Sequence, residues 1–220
     1  AQGSLFSWGS DSFGQVSETP GESDFIQVSG EGFNSMALRA DGSIQSWGSN
    51  NSFVVTDTPA GTGFTQVECG VQYAAALHSD GSIVTWGTDG DGLITGAPLE
   101  TDFTQIATGA KFMLALRIDG SIHAWGSDEY GQVSSAPAGT GYTQIACGAY
   151  HGMALRADGS IESWGWDIAG VVSNTPAGTG YVQLAGGTSH SLALHSDGSL
   201  ESWGSSVNGQ VADTPTGTGY

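Results

Sequence analysis

Short runs that alternate apolar and polar residues are the basic pattern of this chain. Phe64-Thr65-Gln66-Val67 sets an aromatic and a β-branched residue around polar ones, which is typical of a short β-strand. After a glycine-bearing loop comes the apolar run Ala74-Ala75-Ala76-Leu77, which predicts a second, buried strand. No stretch of the chain carries the helical period. The pattern therefore predicts an all-β protein.

A hairpin turn and a third strand follow each buried run. Asp80-Gly81 lies between two apolar segments, and both residue types tolerate the positive φ that tight hairpins require. The return strand carries Ile or Leu and ends in Trp-Gly. A polar loop comes next, and then Gly-Gln-Val at residues 14–16, 131–133 and 209–211, which we predict as a fourth, outer strand.

This unit recurs with a constant period. Trp-Gly occurs six times at intervals of 39 residues, with the tryptophans at Trp8, Trp47, Trp86, Trp125, Trp164 and Trp203. A fixed period between about 20 and 50 residues predicts a repeat architecture. A partial repeat covers residues 1–24, and full repeats begin at residues 25, 64, 103, 142 and 181. Because all six tryptophans hold the same place, we predict that they are structural.

Four short strands in about 40 residues describe a β-propeller blade. We predict a single β-propeller domain over residues 1–220, with five complete blades and a partial one. The sequence starts within a repeat, which indicates a processed end or a fragment boundary. If the chain continues, the propeller would have six or seven blades. A β-solenoid is the alternative fold, but a hairpin turn in every unit favours antiparallel blades.

The repeat resembles that of a known family. Its pattern, Gly-x5-Ala-Leu-x2-Asp-Gly-Ser-Ile-x2-Trp-Gly-x4-Gly-Gln-Val, is similar to the regulator of chromosome condensation repeat. The short, regular unit is most similar to the bacterial branch that includes the secreted β-lactamase inhibitor protein II. The resemblance implies a seven-bladed propeller whose loops at one end of the ring bind a partner protein. Nuclear members of the family bind chromatin and exchange nucleotide on a small GTPase.

The charge balance narrows the choice of partners. Four basic residues stand against 22 acidic ones, for a net charge of −18. A nucleic-acid binder needs a basic surface to neutralise phosphates, so we expect neither nucleic-acid binding nor attraction to anionic membranes. No apolar run is long enough to span a membrane. Cys69 and Cys147 hold the same place in repeats that are not neighbours, so we expect buried thiols rather than a disulfide.

Two variable loop positions in the repeat predict a recognition surface. The first set follows the first strand and includes Phe33, Tyr73, Lys111, Tyr150 and Ser189, which we expect as one cluster near the axis. The second set follows Trp-Gly and includes Phe13, Tyr130 and Trp166, which we expect as another cluster. Loop aromatics suit protein recognition, because interface energy concentrates in a few large side chains. The alternative for Tyr73, Phe112, His151 and His190 is packing between blades.

No set of residues predicts catalysis. The histidines and serines follow the repeat, and the loop Asp89–Gly92 lacks the downstream glutamate of a calcium site, so we expect no metal and no cofactor. We predict a non-enzymatic protein-binding module that is secreted or exposed on a cell or virion surface. One alternative is a structural subunit of a virion or cell-surface assembly, which docks to copies of itself. A further alternative is glycan binding through the exposed aromatics.

Overall fold

The computed structural model describes residues 3–220, and its regular structure is almost entirely β-strand. Fifteen strands form five three-stranded sheets, in each of which consecutive strands are neighbours. The first strands are β1 (Phe25–Glu31), β4 (Phe64–Cys69), β7 (Phe103–Thr108), β10 (Tyr142–Cys147) and β13 (Tyr181–Gly186). The middle strands are β2 (Asn34–Arg39), β5 (Tyr73–His78), β8 (Phe112–Arg117), β11 (His151–Arg156) and β14 (His190–His195). The third strands are β3 (Ile44–Gly48), β6 (Ile83–Gly87), β9 (Ile122–Gly126), β12 (Ile161–Gly165) and β15 (Leu200–Gly204).

The Asp-Gly pairs form the turns between the middle and third strands, as the sequence predicts. The Asp80 carboxylate accepts the backbone N–H of Ser82 at 2.9 Å and its hydroxyl at 2.6 Å. Gly81 has a φ of +83°, and a Cβ added there would lie 2.5 Å from the carbonyl oxygen of Thr101. Each turn therefore needs glycine both for its backbone conformation and for the close approach of the neighbouring chain.

The chain divides into two compact units, residues 1–106 and 107–220. The core of the first unit contains Met36, Leu38, Val54, Val67 and Trp86, all at most 5% exposed. The second unit has two core clusters, one that includes Trp164 and one that includes Trp203. The single domain over residues 1–220 stays a prediction. No helix within residues 3–220 is long and apolar enough to cross a membrane.

The middle strands are the most deeply buried elements. Residues Tyr73 to Leu77 of β5 are at most 4% exposed, although their side chains alternate between the two faces of the sheet. Both faces are therefore covered, which explains why this strand is a continuous apolar run rather than an alternating one. The thiol of Cys69 on the adjacent β4 is also buried, whereas Cys147 is half-buried.

The fourth, outer strand that the sequence predicts is not formed. The Gly-Gln-Val segments lie in turns. In the loop that begins at Asp128, the aspartate carboxylate accepts the N–H groups of Val133 and Ser134, both at 2.9 Å. The N–H of Ser135 donates to the carbonyl of Gly131 at 3.1 Å. These donors are satisfied within the loop, so they do not take part in a strand ladder, and each sheet has three strands.

Five of the six repeat tryptophans are core residues. Trp47, Trp86, Trp125, Trp164 and Trp203 are 4–6% exposed. The indole N–H of Trp86 donates to the carbonyl of Val54, 32 positions earlier, at 2.9 Å. Trp8 departs from the prediction because it is 86% exposed.

Candidate functional site

A short polar side chain sets the conformation of each loop that follows Trp-Gly. Asp167 accepts the N–H groups of the residues five and six positions later, at 2.8 and 2.9 Å. Asp11, Asp89 and Asp128 make the same pair of bonds, and Ser206 does so through its hydroxyl. Asn50 uses its side-chain oxygen to accept the N–H of Thr56 at 3.0 Å. The loop backbone is therefore held without any contribution from the variable aromatic residues.

Backbone and side-chain hydrogen bonds bring the two variable sets together within the second unit. The N–H of Trp166, from the second set, donates to the carbonyl of Tyr150, from the first set, at 2.9 Å. The loop of the preceding repeat is fixed through Gln132, which is 1% exposed. Its side chain accepts the N–H of Tyr130 at 2.7 Å, and its carbonyl accepts the indole N–H of Trp164 at 2.9 Å. Both sets therefore meet at the same end of the strands.

Three aromatic rings in contact result from this arrangement, and we call Tyr130, Tyr150 and Trp166 the ring cluster. The rings of Tyr130 and Trp166 are stacked, with centroids 4.7 Å apart and an angle of 15° between their planes. Tyr150 meets Tyr130 edge-on at 5.7 Å and Trp166 edge-on at 5.4 Å. All three side chains are half-buried. The expected separation into one cluster for each loop set is thus not what the structure shows.

A smaller pair in the first unit occupies the same repeat positions as Tyr130 and Tyr150. The rings of Phe13 and Phe33 lie 4.9 Å apart and are tilted by 48°. Phe13 is 41% exposed and Phe33 is 56% exposed. Like Tyr130, Phe13 donates its N–H to a glutamine side chain, that of Gln15, at 2.8 Å. The carbonyl of Phe33 accepts the N–H of Ser49 at 2.9 Å, as that of Tyr150 accepts the N–H of Trp166.

Tyr73 does not join an exposed cluster, which corrects the sequence prediction. It is 1% exposed, and a Cβ added at Gly70 would lie 2.5 Å from its ring. Phe112 and His151 are buried in the same way against a glycine three residues earlier, and His190 is half-buried against Gly187. The neighbouring residue, Gln72, takes the exposed place. The glycine three positions before each ring is the feature of the sequence that indicates a buried ring.

The remaining predicted positions carry no exposed aromatic ring. Lys111 is exposed and Ser189 is half-buried, each at the place that Tyr150 holds in its own repeat. Phe53 is a residue whose conformation sequence reasoning missed. It is 58% exposed and has a φ of +62°, at a repeat position where glycine stands in five other copies. Comparison of the repeats alone could have found this departure, since a bulky residue with positive φ is uncommon.

Negative charge accompanies the ring cluster. Asp128, Glu129 and Asp167 are exposed and lie within two positions of a ring residue in the sequence. Backbone N–H groups of Ser134 and Val133 hold the pKa of Asp128 below its ordinary value, and those of Ser173 and Val172 do the same for Asp167. No group of three or more metal-ligating side chains lies close enough together to hold a metal ion in the part of the chain that the structure describes.

The sequence matches the model of one known repeat family. Residues 103–132, 142–170 and 181–210 match the Regulator of chromosome condensation (RCC1) repeat. Together with the three-stranded sheets and their constant spacing, these matches confirm the resemblance to this repeat. The similarity to the bacterial branch of the family stays a prediction. The matched segments cover three of the repeats of this chain.

Solved structures show the same fold. The ectodomain of the receptor kinase CR4 from Physcomitrella patens is 21% identical, with a TM-score of 0.73 over 89% of this chain and 57% of that chain. Human WBSCR16 is 24% identical, with a TM-score of 0.70 over 88% of this chain and 65% of that one. Prp20p from Saccharomyces cerevisiae is 21% identical, with a TM-score of 0.65 over 82% of this chain and 57% of that one. The five sheets are consistent with blades of an RCC1-type β-propeller.

The chain spans between 57% and 65% of the length of these solved structures. The structure of Prp20p is described together with its binding to Gsp1p and histones. No curated protein sequence matches this chain significantly.

Proposed function

We propose that this chain is a non-enzymatic protein-binding module that recognises its partner through the ring cluster, on a secreted or surface-exposed molecule. In this proposal the three-stranded sheets are successive blades of one propeller, and the loops present variable side chains at one end of the strands. Prp20p, which shares the fold, binds other proteins. This supports protein binding as the class of function. We do not propose that this chain binds the same partners as Prp20p.

One observation carries the proposal: the three rings of the cluster are not needed by the framework. The place of Trp166 is taken by serine or threonine in all five other copies of the repeat. The place of Tyr130 is held elsewhere by Phe13, Ser52, Asp91, Ala169 and Asn208, and that of Tyr150 by Phe33, Gln72, Lys111 and Ser189. Those loops keep the same backbone hydrogen bonds. Three aromatic residues that meet at three dispensable positions indicate a surface used for contact.

A variant built from the chain's own repeats tests this function. Tyr130→Ser, Tyr150→Gln and Trp166→Ser replace each ring with a residue that another repeat holds at the same place. Ile118→Ser is the matched control, because Ile118 is 79% exposed in a hairpin turn of the same unit, where two other repeats have serine. Urea melts of all variants establish that they are folded.

Quantitative affinity capture from surface and secreted fractions of the native source should recover a partner with the wild type and with Ile118→Ser. The triple variant should lose it, with a Kd weakened by about 100-fold in calorimetry, since a few anchors carry most of an interface's energy. Equal capture of that partner by the triple variant would contradict the proposal. If sedimentation then showed ordered self-assembly, the structural subunit would replace it.

A further inference from the structure

Three carboxylates border the ring cluster and change what it can bind. Asp128 and Glu129 immediately precede Tyr130, and Asp167 immediately follows Trp166. Desolvation, and after it the interaction with the neighbouring carboxylate of Glu129, raises the pKa of the Tyr130 hydroxyl. The three carboxylates therefore lie on the two loops that carry Tyr130 and Trp166.

The surroundings leave this negative charge largely uncompensated. The second unit has nine acidic side chains and three basic ones, Lys111, Arg117 and Arg156. Arg156 binds Glu162 and the hydroxyl of Tyr142 on the sheet. Lys111 is the basic residue on a loop that adjoins the cluster, where its carbonyl accepts the N–H of Ser127 at 2.8 Å. The loops that carry or adjoin the rings thus hold three acidic residues and one lysine.

We propose that the ring cluster, together with Asp128, Glu129 and Asp167, binds a lysine- and arginine-bearing segment of a partner protein. This inference rests on the proposed function and names the chemistry of the partner. Aromatic rings attract ammonium and guanidinium groups through their faces, and tryptophan does so best. Guanidinium groups also stack on rings while they donate hydrogen bonds to carboxylates, so rings flanked by carboxylates match arginine in particular.

The stacking within the cluster favours this partner over a glycan. A sugar ring needs a broad open aromatic face, whereas Tyr130 and Trp166 cover one face of each other at 4.7 Å. A cation is smaller and needs only a part of a ring and a nearby carboxylate. The net charge of −18 also favours a basic partner, since complementary charge accelerates association.

Two synthetic peptides test the inference on the full chain. One is an acetylated and amidated dodecapeptide of alternating glycine with lysine and arginine, and the other has glutamate in place of every basic residue. Fluorescence anisotropy at 150 mM salt should show binding of the basic peptide only. The Tyr130→Ser, Tyr150→Gln, Trp166→Ser variant keeps the net charge and should bind the basic peptide about 10-fold more weakly, as expected for the loss of cation–π contacts.

Charge-matched variants separate local from overall attraction. Asp128→Asn with Asp167→Asn removes two charges beside the rings, and asparagine is compatible with the loop because Asn50 holds the same place in another repeat. Asp158→Asn with Asp197→Asn removes two charges from hairpin turns of the same unit. The first pair should weaken binding about 5-fold at this salt, and the second less than 2-fold, because charges beyond a Debye length are screened.

Three results would overturn the inference. One is undiminished binding of the basic peptide by the ring variant, which would show attraction by net charge alone. Another is binding of chitohexaose by the wild type without any binding of the basic peptide, which would assign a glycan site. The third is failure of the basic peptide to bind while the ring variant still loses the natural partner, which would show that the partner is not basic and would leave the proposed protein-binding function standing.

Discussion

Glu68 is a half-buried acid next to the core of the first unit. It lies on β4 beside the buried Cys69, and its carboxylate accepts a hydrogen bond from the side chain of Gln66 at 2.9 Å. Burial raises the pKa of Glu68 to about 7, although the hydrogen bond from Gln66 acts in the opposite direction. The folded protein therefore prefers the protonated form over a range in which the unfolded chain is ionised.

This preference predicts that Glu68→Gln stabilises the first unit at alkaline pH. Because the folded pKa is raised from 4.5 to about 7, the wild type loses stability as the pH rises through that window. At pH 8 the substitution should raise the free energy of unfolding by up to about 3 kcal/mol, and at pH 4 by little. Urea melts at both pH values measure the difference. Glu18→Gln, at an exposed position, reports the effect of net charge alone, and an equal gain there would refute the prediction.

His151 gives the opposite pH dependence in the second unit. It is 1% exposed, and its Nε2 lies 2.8 Å from the hydroxyl of Ser191. Its Nδ1 has no hydrogen-bond partner. Burial, and to a smaller extent the charge of His190, lowers the pKa of His151 to about 4. The folded state therefore holds the imidazole neutral where the unfolded chain would be protonated.

His151→Phe should remove acid sensitivity, and Phe112 shows that phenylalanine fits this place in another repeat. Since the folded pKa is depressed from 6.5 to about 4, stability is lost as the pH falls through that window. Between pH 7 and pH 5 the wild type should lose about 2 kcal/mol more than the variant. Equal slopes of the unfolding free energy against pH in the two proteins would show that His151 is not responsible.

The difference between Tyr73 and Gln72 shows what the sequence could predict at the residue scale. The period of two in a strand predicts that adjacent residues point in opposite directions, but it does not say which of them is buried. That depends on the glycine three residues before Tyr73, whose missing side chain leaves room for the ring. Tyr150 was predicted to be exposed, and it is half-buried because other rings pack against it.

At the scale of the element, a glutamine on the first strand links neighbouring sheets. The amide of Gln27 donates to the carbonyl of Val67 at 2.9 Å and accepts the N–H of the same residue at 3.0 Å. Gln66 makes the same two bonds with Ile106, at 2.8 and 2.9 Å. In the second unit Gln144 accepts the N–H of Leu184 at 2.9 Å. One side chain thus satisfies both backbone groups of a residue in the next repeat.

Gln27→Leu should therefore destabilise the first unit by about 2–4 kcal/mol, because it leaves a buried N–H and a buried carbonyl without partners. The matched control is Gln183→Leu. Gln183 holds the same place on β13, but it is exposed. Its replacement should change stability by less than about 0.5 kcal/mol. Denaturant midpoints of the two variants give the comparison, and similar losses would mean that the glutamine bridge contributes nothing specific.

The repeat tryptophans allow a second comparison between equivalent elements. Trp86→Ala should cost about 3–5 kcal/mol, since it leaves a cavity and removes the bond to the carbonyl of Val54. Trp8→Ala should cost less than about 1 kcal/mol, because Trp8 is 86% exposed. Thermal melts decide between these values. A large loss for Trp8 would show that the first, partial repeat is packed as the others are.

The three strands of each sheet and their Asp-Gly turns were predictable from the sequence, but the absence of a fourth strand was not. Gly-Gln-Val contains a glycine and an apolar residue, as the ends of the true strands do, so its composition fits both a strand and a turn. The deciding contacts are those from Asp128 to the N–H groups of Val133 and Ser134. An aspartate that accepts bonds five and six residues ahead belongs to a turn, and this spacing is visible only with the backbone in place.

At the scale of the whole chain, the repeat separates a constant framework from variable loop positions. The framework residues are the buried middle strands, the glutamine bridges and the five buried tryptophans. The loops keep one backbone conformation while their side chains range from serine to tryptophan. Side chains at the variable loop positions can therefore change while the framework contacts stay the same. For this reason we propose that the ring cluster, and not the framework, recognises the partner.

The footprint of the natural partner on the chain tests this assignment most directly. Hydrogen–deuterium exchange of the bound and unbound protein should show protection at residues 127–133, 149–151 and 166–170, which hold the ring cluster and its loops. The hairpin turns at residues 118–121 and 157–160, at the other end of the strands, should exchange equally in both states. Protection of those turns without protection of the ring-cluster loops would contradict recognition through the ring cluster.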